Sequence, residues 1–301
     1  MTTRDGSRVA DWARQGGYTV RFDWGLGGAE AIGPGTALVA VVDVLSFTTT
    51  LSVAADHGIA VLPYRWRDAS AEEAAERHDA VLAVGRSVAG PDEISLSPAT
   101  VRRVAAGRIA AGHRIERLVL PSPNGSAISA RLAATGATVI GVSLRNAATA
   151  AAWAAAQVPA RAGDQTAART VAGDGAGNGN GGGNGDGDGD GGVGWSIAVI
   201  AAGERWPDGS LRPAVEDLWG AGAFLAGLVA RGVSGFSPEA ETTLAAYRAV
   251  EGNLPAELMR IASGRELAGN GFAGDVAVAA EAGGSESVPV LRDGWFRPLP
   301  G

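Results

Sequence analysis

Short apolar runs, each followed by a stretch of helical periodicity, recur along this chain and limit what it can fold into. Tyr18–Asp23 alternates as a strand. Ala37–Val42 is nearly continuous and β-branched, the pattern of a strand covered on both faces, and Phe47–His57 follows it as a helix. A strand over Ile59–Tyr64, a helix over Ala69–His78 and a strand over Ala80–Val84 repeat the unit before a loop at Gly85–Ser97. Helices from about Pro98, Gly125 and Asn146 then alternate with strands over Leu118–Pro121 and Ala137–Val142. This rhythm predicts an α/β fold with a mainly parallel sheet, helices on both faces and three layers.

Residues 161–194 interrupt the rhythm with a tract rich in Gly, Asp and Asn that can bury nothing. Calcium-binding glycine-aspartate repeats need an apolar residue in each nonapeptide and several stacked copies, and neither is present. A disordered, flexible insertion is expected, with an N-terminal α/β part over 1–160 and a C-terminal part over 195–301 completing the same fold. After the tract, Trp195–Ala202 reads as a strand and Ala214–Arg231 as a long helix. Helices around Pro238–Val250 and Pro255–Ile261 precede short strands near Asp275–Ala279 and Val288–Leu291.

Absences exclude whole mechanisms. All 25 basic residues are arginine and there is no cysteine, so thiol nucleophiles, zinc thiolates, disulfides, lysine Schiff bases and a P-loop lysine drop out. His57, His78 and His113 lie far apart, outside any metal-ligand spacing. A net charge of −7 with no basic run argues against a nucleic-acid partner. No window approaches the ~18 apolar residues of a membrane span, and no apolar segment follows the N-terminal residues as in a signal peptide. A cytoplasmic protein of enzyme size, without a membrane partner, is expected.

Four segments could carry chemistry. Asp43 ends the Ala37–Val42 run, where open α/β sheets bind ligands, and Thr48, Thr49 and Thr50 open the next helix with N–H groups and hydroxyls that suit an anion. The plain alternative is a buried capping Asp with Thr side chains bonded to their own backbone. A covalent aspartyl-phosphate of the Asp-x-Asp type is disfavoured because position 45 is Leu, although a strand-end carboxylate suits Mg²⁺. Pro121-Ser-Pro-Asn-Gly-Ser126 follows a strand, and Asn124, Gly125 and Ser126 could cradle an oxyanion or form an ordinary capped turn. Glu216 and Asp217 are adjacent acids at a helix start, about 100° apart around its axis. Acids at that place are also favoured by the helix dipole. Arg145 and Asn146 open the helix after the Ala137–Val142 strand, and an arginine fork matches phosphate, carboxylate or sulfonate. Arg86, Arg205 and Arg212 are rivals for that role.

Taken in order, these segments resemble the 2-phosphosulfolactate phosphatase family, Mg²⁺-dependent enzymes of coenzyme M biosynthesis, over most of the chain. Val42-Asp43-Val44-Leu45 with Thr48-Thr49-Thr50 is similar to the family's strand-end signature, and Pro123-Asn124-Gly125-Ser126 to its Thr-Asn-Gly-Thr turn. Leu144-Arg145-Asn146, Glu216-Asp217 with Ala221-Gly222, Ser263-Gly264-Arg265-Glu266-Leu267 and Gly271-Phe272-Ala273-Gly274-Asp275-Val276 are similar to its later motifs. Ser46-Phe47 stands where the family shows Arg-Ala, Gly85-Arg86 where it shows Gly-Glu, and Ile94–Pro98 is a thinned form of its Asn-Ser-Pro loop.

The resemblance implies hydrolysis of a small, multiply anionic phosphate monoester, (R)-2-phospho-3-sulfolactate, with water attacking and a homodimer as the assembly. Asp43 and one of Glu216 or Asp217, with Asp217 the one assigned to the metal, would hold Mg²⁺ or position the water. Asn124 would join them in catalysis. Ser46, Thr48, Thr49, Thr50, Gly125, Ser126, Arg145 and Asn146 would bind phosphate and substrate. A non-catalytic anion-binding regulatory protein of the same fold is the alternative.

Overall fold

The computed structural model describes residues 11–65, 68–158 and 195–300, so the 161–194 tract and the linker role expected of it lie outside the described residues. Strands are β1 (Val20–Trp24), β2 (Leu38–Val42), β3 (Ala60–Tyr64), β4 (Val81–Leu82), β5 (Arg117–Pro121) and β6 (Thr138–Val142). After the tract come β7 (Ile197–Ala201), β8 (Glu204–Arg205), β9 (Leu211–Arg212), β10 (Ser287–Arg292) and β11 (Trp295–Pro300). Helices before the tract are α1 (Gly25–Ile32), α2 (Phe47–Asp56), α3 (Ala69–His78), α4 (Pro98–Ala110), α5 (Gly125–Ala133) and α6 (Ala147–Ala156). Those after it are α7 (Val215–Val229), α8 (Pro238–Arg248), α9 (Leu254–Arg260), α10 (Ala262–Gly269) and α11 (Ala273–Ala279).

The fold is α/β, with a mostly parallel nine-stranded sheet in the order β1-β7-β2-β6-β10-β11-β3-β5-β4. β7 lies between β1 and β2, so the chain beyond the tract returns to the middle of the first parallel block. The β10–β11 hairpin, turning on Asp293-Gly294 with both residues at positive φ, joins that block to the parallel β3-β5-β4 block. Helix α2 packs on β6, β10, β11 and β3, and so crosses from one block to the other. That crossing brings the end of β2 to the loop after β5.

The run that forms β2 explains the layering. All five residues are buried, and they alternate between two cores. Leu38, Ala40 and Val42 belong to the core that includes buried residues of α6, α7 and α8, whereas Val39 and Val41 belong to the one that includes those of α1, α2, α4 and α5. Burying a valine or leucine side chain fully contributes roughly 1.5–3 kcal/mol, so the run's position is strongly fixed. No helix among the described residues is long and apolar enough to cross a membrane.

Two local expectations are corrected. Asp275–Ala279 belongs to α11 and is not a strand: its Val-Ala-Val-Ala alternation imitates one, yet Asp275, Val278 and Ala279 are buried at helical spacing. Helix α1, unforeseen behind its Gly25-Leu-Gly-Gly opening, follows β1 directly, with Gly25 at positive φ.

Candidate active site

The chain turns over Asp43 as it leaves β2, and the carboxylate holds the turn. Asp43 Oδ1 accepts the N–H groups of Ser46 (3.1 Å) and Phe47 (3.2 Å), and Oδ2 accepts that of Gly125 (3.0 Å). The last bond joins the end of β2 to the start of α5. It requires glycine: a Cβ at position 125 would overlap the Phe47 ring and lie 2.8 Å from Asp43 Oδ2.

The hydroxyls beyond Asp43 serve the backbone more than they face a ligand. Thr48 donates to the Asp43 carbonyl (2.8 Å) and accepts the Asp43 N–H (3.0 Å), while Thr50 donates to the Ser46 carbonyl (2.8 Å). Thr49 Oγ1 is buried and has no hydrogen-bond partner among the described residues. Ser46 is buried and contributes its backbone. The phosphate-binding roles expected of Thr48 and Thr50 are therefore replaced by structural ones, because their oxygens are committed within the turn.

Asp217 bridges two loops. Its Oδ1 accepts the Val44 N–H (2.7 Å) and its Oδ2 the Gly203 N–H (2.8 Å), tying α7 to the ends of β2 and β7. Gly220, one helical turn on, allows that approach, since a Cβ there would lie 2.8 Å from Val42 Cγ1. Asp217 thus holds the ends of two strands, and each oxygen, with one N–H bond, keeps a lone pair for the metal role expected of it. Glu216 is also buried, accepts the Ser263 hydroxyl, and feels Arg212 and Asp43.

Glu204, which follows β7, completes the acidic group. Asn124 donates its amide to Glu204 Oε2 at 3.1 Å. Both residues line a cavity of about 280 Å³ walled by Trp24, Leu26, Ile128 and Leu211. Glu204 is not among the candidates the sequence offers; its one local signal is a Gly-acid pair after a buried strand.

Burial pushes all four carboxyls upward, and repulsion from neighbouring acids adds to it at Glu204, Glu216 and Asp217. Asp43 rises against three backbone N–H donors and the Arg86 charge. Asp217 is driven well above the carboxylate range by burial, then by Asp43 and Glu216. Glu216 rises through burial despite Ser263 and Arg212, and Glu204 is pushed up to about 7 by burial, Asp43 and Glu216. A raised folded-state carboxyl stabilises the fold below its unfolded value and loses that contribution as pH rises through the folded one. For Glu204 the window runs from 4.5 to about 7, a loss of about 3 kcal/mol once it is ionised. In EDTA, the melting temperature is therefore expected to rise as pH falls from 8 toward 5.5, with a flatter profile in Glu204→Gln. A profile that climbs with pH would contradict this electrostatic description.

Arg86 brings positive charge to Asp43, as Arg212 does to Glu204 and Glu216. The Arg86 Nε lies 3.2 Å from buried Asp275 Oδ2, its guanidinium packs over Phe272, and its charge acts on Asp43. Asp275 is fixed in turn by the Ser97 hydroxyl and the Ala99 N–H.

Three expected ligand-binding residues have their polar groups engaged by other parts of the chain. Arg145 is almost wholly buried and clamps Asp56 (2.9 Å), Ser52 (2.9 Å), Glu281 (3.2 Å) and the Gly284 carbonyl (2.8 Å). Its partners satisfy the fork internally, so the substrate-gripping role is corrected. Asn146 accepts the Ser143 N–H and donates to the Gly141 and Ser287 carbonyls, binding β6 to β10. The buried Ser126 hydroxyl reaches back 3.4 Å to the Leu120 carbonyl.

No family model and no curated protein matches this chain. Its chemistry is thus read from its own groups. Among the described residues no three His, Cys, Asp or Glu side chains form a ready-made metal cage. Mg²⁺ needs less, because it binds through one or two carboxylates with waters and substrate oxygens completing its shell. Asp43 Oδ2 and the two Asp217 oxygens, each with one N–H bond, and Glu216, bonded to the Ser263 hydroxyl and its own N–H, keep acceptor capacity, and a divalent cation would relieve the repulsion among the acids. The donor set fits Mg²⁺ on these grounds.

Proposed function

We propose that this protein is a Mg²⁺-dependent phosphatase of a small anionic hydroxy-acid phosphate, hydrolysing (R)-2-phospho-3-sulfolactate to 3-sulfolactate and phosphate. What supports this most is the physical joining of three segments that carry the resemblance: Gly125 N–H to Asp43, Asp217 to Val44, and Asn124 to the Glu204 that follows β7. Segments remote in sequence converge where a strand end, a glycine turn and a helix start present carboxylates. Asp43 and Glu216 would hold the metal, which when bound neutralises phosphoryl charge and lowers the pKa of a coordinated water. Asn124 presents an amide beside the cavity, and the Arg86 and Arg212 charges draw an anion toward a centre otherwise lined with acids. A cytoplasmic homodimer goes with this reading.

The test is phosphate release at neutral pH across a panel of phospho-hydroxy acids. Release is expected to favour doubly acidic esters and to fall at least about a hundredfold in Glu216→Gln. Equal rates for neutral and acidic esters, or an unchanged Glu216→Gln, would refute the assignment.

A further inference from the structure

Resting on that phosphatase reading, we propose that Glu204 is the general acid of the hydrolysis, with Asn124 as its positioning residue and the adjoining cavity as the seat of the leaving hydroxy acid. An alkyl hydroxyl is a poor leaving group, and its oxygen needs a proton as the ester bond breaks. Of the four carboxyls, Asp217 holds two backbone donors, Asp43 holds three, and Glu216 holds the Ser263 hydroxyl. Glu204 is the one that lines a cavity, and it is only half-buried. The Asn124 amide engages Oε2 and thereby orients the group, leaving Oε1 to carry the proton.

Burial is the largest cause favouring the protonated Glu204 carboxyl, and with the charges of Asp43 at the end of β2 and Glu216 on α7 it pushes the group up to about 7 in the metal-free protein, against Arg212 on β9 and the Asn124 bond. A cation held by Asp43 and Glu216 would cancel their share and leave that of burial. In the step, a water oxygen forms a bond to phosphorus while the ester P–O bond breaks. The electron pair of that bond goes to the leaving oxygen, which takes the Glu204 proton. The attacking water keeps one proton as a phosphate hydroxyl, and its other proton restores Glu204 through solvent. No other reactant is needed.

The experiment compares wild type with Glu204→Gln on 2-phospholactate and on p-nitrophenyl phosphate, whose leaving group departs without a proton. Expected is a loss of at least about a hundredfold in kcat on the alkyl ester and less than about fivefold on the aryl ester, with no fall in melting temperature. Equal losses on both esters, or none on either, overturn the role of Glu204 while leaving the phosphatase reading standing. Wild-type protein that releases phosphate from neither ester overturns both.

Discussion

Changing Asp43 to asparagine is expected to lower kcat at least about a thousandfold, some 4 kcal/mol of transition-state stabilisation, while the protein stays folded. Asparagine keeps an oxygen for the Ser46 and Phe47 N–H groups. Its amide NH₂ then faces the Gly125 N–H, donor against donor, where Oδ2 now accepts. That mismatch costs roughly 1–3 kcal/mol, and loss of a buried charge beside Glu204, Glu216 and Asp217 offsets part of it. Activity therefore falls much further than stability. Steady-state kinetics with a urea melt separates the two, and an Asp43→Asn protein retaining more than a tenth of wild-type kcat would remove Asp43 from the centre.

Asp217→Ala is expected to do the reverse, costing roughly 3–5 kcal/mol of stability in metal-free protein. It strands the Val44 and Gly203 N–H groups, which sit at the ends of two adjacent strands and have Asp217 as their acceptor at 2.7 and 2.8 Å. Asp217→Asn should lie between, since an amide can satisfy one of the two donors. Urea unfolding in EDTA reads this directly. A loss below about 1 kcal/mol in Asp217→Ala would mean that the bridge is not structural.

The fold was legible wherever a strand's burial was written into consecutive residues, as in Ala37–Val42, or a helix began at a clear cap such as Ser97-Pro98. It was hidden where local chemistry points two ways. Glycines that open α1 look like a loop, and the valines of α11 alternate as in a strand although their burial follows a helix. The hairpin between the two strand blocks went unforeseen although Asp293-Gly294 is a turn signal, because the strand after it, Trp295–Pro300, contains two prolines and reads poorly as one.

The candidate site was legible as segments and less so as roles. Asp43, Asn124, Gly125 and Glu216 assemble in one place, because strand ends and helix starts gather at one edge of a parallel block. Arg145 was indistinguishable in sequence from a ligand-gripping arginine, and its orientation depends on Asp56 and Glu281, which are distant along the chain. Glu204 failed to stand out for the opposite reason. Its character comes from burial and from Asp43, Glu216 and Asn124, all supplied by other elements.

The most direct measurement is phosphate release from (R)-2-phospho-3-sulfolactate by the wild-type protein with Mg²⁺, repeated in EDTA and after Mg²⁺ is restored. Turnover that EDTA abolishes and Mg²⁺ recovers is the predicted result. Folded protein that releases no phosphate under any of the three conditions, or releases it equally in all, would contradict a Mg²⁺-dependent phosphatase centre at Asp43.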